Sequence, residues 1–204
     1  MTDLRQLRQQ LRTQRRELDG REHVHMSAAA IVHLQAHRLF RAARHVACYL
    51  ANDGELDVEE LILRCWDQGK SVYLPVLSQI HHNRLHFLPF HPGEKLVLNR
   101  FGIQEPRLRP RCMVPAARLD LVLTPLVGFD AQGNRLGMGG GFYDRTFSFL
   151  RQRHCWRKPH LLGVGFDFQQ VETQGVDCLP RQPWDVPLKG VASETGVRLF
   201  TVAD

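Results

Sequence analysis

The 204-residue chain has no apolar run approaching the ~20 residues that a membrane-spanning helix needs. Its basic N-terminus lacks the apolar centre of a secretory signal, which points to a cytoplasmic protein working away from the membrane. The five cysteines (Cys48, Cys65, Cys112, Cys155, Cys178) are odd in number and scattered, with no C-x-x-C pair. That argues against a disulfide framework and a zinc site, and it suits a reducing compartment. Eleven histidines include no H-E-x-x-H, and no Ser/His/Asp or Cys/His arrangement for nucleophilic catalysis is recognisable. Repeats, low-complexity segments and linkers are also missing. Two glycine signatures fail as well. G-x-G-x-x-G started at Gly137 meets Phe142 where glycine is required, and started at Gly139 it meets Asp144; the Walker pattern G-x-x-x-x-G-K-[ST] does not occur.

Glycine is nevertheless concentrated. Gly137, Gly139, Gly140 and Gly141 lie within five positions, with Arg135 before them and Tyr143, Asp144 and Arg145 after. Glycine allows positive φ and lets backbone N–H groups reach a ligand unobstructed by a Cβ. Flanked by cations and a carboxylate, such a loop reads as a phosphate cradle with a metal ligand at its edge. The formal net charge of +6 suits anionic ligands.

Hydrophobic content of 43% and charged content of 24% are those of a globular chain with a substantial core. Leu4, Leu7, Leu11 and Leu18 form one stripe of a first helix, with Arg5, Arg8, Arg12, Arg15 and Arg16 around it as a mostly solvated basic face. A second helix is expected over 26–41 and a buried strand over 45–51. The turn at 52–54 leads to a helix capped by Asp57, with Glu60 completing a capping box, and then to a strand over 71–77. Strand, helix and strand within about thirty residues make a βαβ unit with parallel pairing. Further strands are expected over 85–90, 119–127, 160–168 and 186–193, with a hairpin partner over 196–202. A helix is expected over 143–153, and 92–118 reads as a long irregular excursion. The fold class is therefore α/β, a single domain with a mostly parallel central sheet flanked by helices, in a Rossmann-like three-layer arrangement. Ligands sit beyond the carboxyl ends of such strands, which would gather Glu55, residues 133–145 and residues 177–185 on one rim.

Six segments, taken in order, carry a resemblance to a known family. They are the arginine-rich first helix, Tyr-Leu-Ala-Asn-Asp-Gly-Glu-Leu-Asp at 49–57, Gly-Lys-Ser-Val-Tyr-Leu-Pro at 69–75 and Thr-Pro-Leu-Val-Gly-Phe-Asp at 124–130. Gly-Asn-Arg-Leu-Gly-Met-Gly-Gly-Gly-Phe-Tyr-Asp-Arg at 133–145 and Trp-Asp-Val-Pro-Leu at 184–188 complete the set. Over nearly its whole length the chain resembles the 5-formyltetrahydrofolate cyclo-ligases.

The resemblance implies ATP-dependent closure of 5-formyltetrahydrofolate to 5,10-methenyltetrahydrofolate with Mg2+, through a phosphorylated formyl oxygen. It implies ATP contacts from Arg5, Arg8, Arg135, Leu136, Gly137, Met138, Gly139, Gly140, Gly141, Phe142 and Tyr143. Folate contacts would come from Leu50, Glu55 and residues 138–142, with Arg135, Tyr143 and Asp144 at the chemistry and Asp144 and Asp185 as magnesium ligands. The partners implied are these small molecules alone, bound by a monomer. Two departures stand out. Leu4 replaces a lysine that many members carry, leaving Arg5 one residue away, a rotation of ~100° on a helix. Gly140 stands where eukaryotic-type members carry a lysine, which leaves that loop to backbone amides and Arg145. A basic nucleic-acid-binding protein is the alternative from another class, since the charge and the first helix would suit it. The absence of a recognised reading motif and the supply of only three tyrosines and three tryptophans for stacking weigh against it. A family homologue with an altered folate-type substrate is the nearer alternative.

Overall fold

The computed structural model describes residues 3–153 and 158–200. Helix α1 (Leu4–Glu17) begins behind Asp3, whose carboxylate accepts from Arg5 N–H at 2.8 Å. Its stripe buries Leu7 and Leu11 completely and Leu4 in part. Helix α2 (Gly20–Ala36) starts six residues before the expected position 26, because Asp19 caps it by accepting from Arg21 N–H. It stops at His37, whose extended backbone and ring nitrogen open a separate short helix, α3 (Arg38–Ala42). Strand β1 (His45–Ala47), helix α4 (Glu59–Asp67) and strand β2 (Ser71–Leu77) form the βαβ unit, followed by β3 (Leu85–Pro89). Asp57 accepts from Glu59 N–H at 2.8 Å, but Glu60 reaches forward to Arg64 at 3.2 Å, so the reciprocal half of the capping box does not form.

Residues 92–118 are more ordered than their proline and arginine content suggests. They contain the antiparallel hairpin β4 (Leu96–Leu98) and β5 (Gln104–Pro106), then two 3-10 turns. Strand β6 (Leu121–Pro125) leads into a small antiparallel pair, β7 (Gly128–Phe129) and β8 (Arg135–Leu136). Helix α5 (Phe142–Thr146) replaces the long helix expected over 143–153. It breaks at Phe147, fully buried against Phe87 and Tyr143, and continues as a 3-10 turn, Ser148–Gln152. Strands β9 (His160–Val164), β10 (Gly190–Ser193) and β11 (Gly196–Leu199) complete the chain. Strand β10 is shorter than the expected 186–193, because residues 186–188 bond instead to Arg135, Asp144 and Gly133. Residues 201–202 of the expected hairpin partner lie outside the described residues.

One seven-stranded sheet runs in the order β11-β10-β9-β6-β1-β2-β3. Pairing is parallel from β10 to β2 and antiparallel at both edges, β10–β11 and β2–β3. One face is covered by α2 and α4, with Ile31, Leu34, Leu61 and Ile62 against Val46, Val72, Leu121 and Leu162. The other carries Phe147, Val186 and Leu188 against Ala47, Val122 and Leu161. The helical cover on this side is thin, being α5 and the turn after it. From β1 the chain first builds β2 and β3 on one side, then returns to build β6, β9 and β10 on the other. The switch point lies between β1 and β6, where an open parallel sheet leaves a crevice at its carboxyl end. Among the described residues no helix is long and apolar enough to cross a membrane.

Candidate active site

The loops after β1 and β6 form that crevice. The loop after β1 passes through consecutive left-handed residues, Asp53 (φ 56°) and Gly54 (φ 72°), and then presents Glu55. Beyond β6, the β7–β8 pair turns on Asp130. This carboxylate is fully buried and accepts from Gln132 and Asn134 N–H, Asn134 Nδ2 and Leu179 N–H at 2.8–3.0 Å. The hairpin so formed carries residues 137–141 back over the strand ends. Among the described residues, no backbone N–H of 137–141 donates to a protein acceptor. The carbonyls of the loop are held instead: Gly137 O accepts from Arg8 Nε at 2.9 Å, and Gly140 O from Asn83 Nδ2 at 2.8 Å and Arg145 Nη1 at 2.6 Å. Gly139 (φ 93°) and Gly141 (φ 62°) take conformations that a side chain would strain. With its carbonyls held and its N–H groups without protein acceptors, the loop leaves those N–H groups available to an anion.

Arg135 lies beneath the loop, its side chain 8% exposed. It donates from Nη1 to Val186 O and from Nη2 to Asp144 Oδ1, both at 2.5 Å. The same Asp144 oxygen accepts from Val186 N–H at 3.0 Å, while Oδ2 has no donor among the described residues. Tyr143 stacks on Phe147, with ring centroids 6.3 Å apart. Burial, and then the Glu55 carboxylate, push its phenol up, so it is neutral at physiological pH.

These parts face one cavity of about 630 Å3. Its walls are Tyr49, Leu50 and Glu55 on one side, Pro125–Val127 at the base, and Arg135 with residues 137–144 on the other. The β4–β5 hairpin closes it from above with Asn99, Phe101 and Glu105, and Phe101 meets the Phe142 ring edge-on at 5.9 Å. Glu105 anchors this roof by accepting from Leu77 N–H at 3.0 Å and Asn99 Nδ2 at 3.1 Å. Glu55 is 16% exposed, and Oε2 accepts from Asn52 N–H at 3.2 Å. Burial raises its pKa from 4.5 to about 7, with Arg15 and that N–H pulling it back down.

A sequence model of the 5-formyltetrahydrofolate cyclo-ligase family matches residues 1–194. The chain belongs to this family. It is 42% identical over 187 residues to the 5-formyltetrahydrofolate cyclo-ligase of Escherichia coli, covering 92% of this chain and 98% of that one. The Haemophilus influenzae cyclo-ligase is 40% identical, covering 90% and 95%. The solved structure of Aquifex aeolicus 5,10-methenyltetrahydrofolate synthetase superposes with a TM-score of 0.77 at 29% identity, covering 98% of this chain and 93% of that one. Membership makes the chain an enzyme, a cyclo-ligase, and its mostly parallel central sheet with flanking helices is the fold of that solved relative.

Against the family expectation, the structure brings Leu50, Glu55, Arg135, residues 137–141, Phe142, Tyr143 and Asp144 to one cavity. Arg8 touches the glycine loop from behind. Leu136 is buried beneath it in the α1 packing and does not line the cavity. Arg5 is exposed and does not line it either. Asp185 also lies outside the lining; its Oδ2 accepts from Gln182 N–H at 2.8 Å, although its neighbour Val186 bonds both Arg135 and Asp144. Among the described residues no three metal-binding side chains cluster.

Sequence reasoning missed two features. The roof hairpin was hidden in a proline-rich stretch, where Asn99 and Gly102 were its turn signals. Arg15 falls among the arginines of the mostly solvated basic face expected of the first helix, yet it is 2% exposed. It stands four residues after Leu11 and eight after Leu7, in register with the buried stripe, and that spacing was the available clue.

Proposed function

We propose that the chain converts 5-formyltetrahydrofolate to 5,10-methenyltetrahydrofolate with ATP and Mg2+, releasing ADP and phosphate. The observation that carries this reading is one cavity with the glycine loop 137–141 on one wall and the mostly enclosed Glu55 carboxylate on the other. A formyl oxygen is a poor leaving group. Transfer of the γ-phosphoryl group to it gives an N5-iminium phosphate. N10 then attacks the formyl carbon, the carbon–oxygen bond breaks, phosphate departs with the former formyl oxygen, and the N10 proton is lost as the ring closes. Such chemistry is carried mainly by positioning and charge neutralisation.

The free N–H groups of 137–141 would cradle the phosphates, with Arg135 and, through Gly137, Arg8 supporting them. Glu55, ionised, would accept from the N–H and amino donors of the reduced pterin, with Leu50 and Phe142 packing against the ring system. Tyr143, a neutral phenol at the cavity wall, would donate toward the reacting oxygen. Magnesium favours oxygen donors and keeps several waters, so one or two carboxylates with substrate phosphates suffice. The cavity-facing Asp144 with its open Oδ2 fits that requirement and would hold the ion; Asp185, outside the lining, rests on the family resemblance alone. Bound there, the ion would neutralise phosphate charge. We expect the chain to act as a monomer. The buried free thiols Cys48 and Cys65 support the reading of a reducing cytoplasm.

The route is tested with substrate carrying 18O in the formyl group. The label should appear in the released inorganic phosphate; label recovered in water instead would sink the phosphorylated intermediate.

A further inference from the structure

Arg15 is the bulkiest of the fully buried side chains. Nε donates to Asp53 O at 2.9 Å, Nη2 to Asp53 Oδ2 at 2.9 Å, and Nη1 to Leu126 O at 3.2 Å. It thereby ties three segments together: α1, the turn after β1 and the end of β6. Asp53 also receives Arg12 at 2.8 Å and Arg16, so one carboxylate faces three guanidinium groups. Helix α1 could be sealed here by a leucine, as it is at positions 7 and 11. A buried cation is costly and, where only adhesion is needed, apolar residues serve as well. What the guanidinium adds is a planar fork that reaches three acceptors at once. The second N–H of Nη1 remains, and Nη1 lies 4.0 Å from Glu55 Oε1.

We propose that Arg15 is a positioning residue of the folate wall: locked on Asp53 and the Leu126 carbonyl, it fixes the 52–56 turn and holds the Glu55 carboxylate at the cavity. This rests on the reading of Glu55 as the group that grips the reduced pterin. Around Glu55, α1 presents Arg15 with Arg12 behind it, and its own turn presents Asp53. The end of β1 and α5 present the neutral phenols Tyr49 and Tyr143, and α2 places His23 Nε2 3.0 Å from the Glu55 carbonyl oxygen. Arg15 is the strongest influence opposing burial, whereas Asp53 works in the same direction as burial. The two therefore act on Glu55 with opposite sign.

That opposition makes the proposal testable without turnover. The full chain is labelled with 13C at the glutamate carboxyls, and the Glu55 resonance is assigned by its loss in Glu55→Gln and titrated. Arg15→Gln should raise the Glu55 pKa by about one unit or more, the size expected from removing an opposite charge at this range. Asp53→Asn should lower it, and Arg15→Lys should fall between wild type and Arg15→Gln. Circular dichroism establishes which variants fold; if Arg15→Gln does not, Arg15→Lys and Asp53→Asn carry the test. A purely structural arginine predicts shifts of the same sign in all variants, or none, and either result overturns the proposal. Titrations that move as stated in a chain unable to cyclise the folate would uphold Arg15's hold on Glu55 and reject the functional reading instead.

Discussion

Replacing Glu55 with glutamine should make the protein more stable and less active, and the pH should decide how much more stable. Burial holds the folded-state pKa of Glu55 near 7, against an ordinary value of 4.5. A group whose pKa is raised on folding favours the folded state fully below the unfolded value, and that benefit is lost as the pH rises through the folded value. Ionised Glu55 therefore costs the native state ~3 kcal/mol at about pH 8.5, at ~1.4 kcal/mol per pH unit. Glutamine carries no such cost. For a domain of this size the difference corresponds to roughly 6–12 °C in Tm. At about pH 4, where the glutamate is largely protonated in the folded and unfolded states alike, the two proteins should melt within a degree or two. Activity should move the other way. Losing charge-assisted hydrogen bonds worth ~1.5–3 kcal/mol predicts a fall of roughly 10- to 150-fold in kcat/KM for the folate. Wild-type kcat/KM should itself decline below about pH 7 as Glu55 takes up its proton, and this acidic limb should vanish in the variant. Calorimetry at the two pH values with initial rates across pH checks both halves. Equal Tm differences at both pH values, or a glutamine variant less stable at high pH, would refute the electrostatic reasoning.

Two further outcomes follow from the opposite wall. Asp144→Asn keeps the acceptor for Val186 N–H but removes the charge facing Arg135 and the proposed magnesium site, so kcat should drop by roughly two orders of magnitude with an unchanged circular dichroism spectrum; wild-type turnover would remove Asp144 from the site. Arg8→Ala frees the Gly137 carbonyl, so the apparent KM for ATP should rise about 5- to 10-fold while the KM for the folate stays put; an unchanged KM for ATP would separate α1 from nucleotide binding.

Much of this site could be read from the chain because glycine, aspartate and arginine lie together in sequence at 133–145, and a short loop must keep them together in space. The strands of the seven-stranded sheet were legible for a related reason: β-branched and leucine-rich runs between turn residues have few alternatives to burial. What escaped depended on long-range partners. Whether Arg15 points to water or inward is decided by Asp53, 38 residues away, and by the Leu126 carbonyl, 111 residues away. The end of the helix after the glycine loop is set by the burial of Phe147 against Phe87, which no local propensity encodes. Strand β10 is shortened because Val186 serves Arg135 and Asp144 rather than the sheet. The same tertiary contacts that hid these features from a linear reading are the ones that assemble the cavity.

The central claim is that the glycine loop at 137–141 and Glu55 present a phosphate donor and a reduced folate to each other in one cavity. The direct measurement is the rise of methenyltetrahydrofolate absorbance when purified protein meets 5-formyltetrahydrofolate, ATP and Mg2+, with each component omitted in turn. Product should form only in the complete mixture, with one ADP released for each ring closed. Absence of product in the complete mixture, or product without ATP, would contradict the claim.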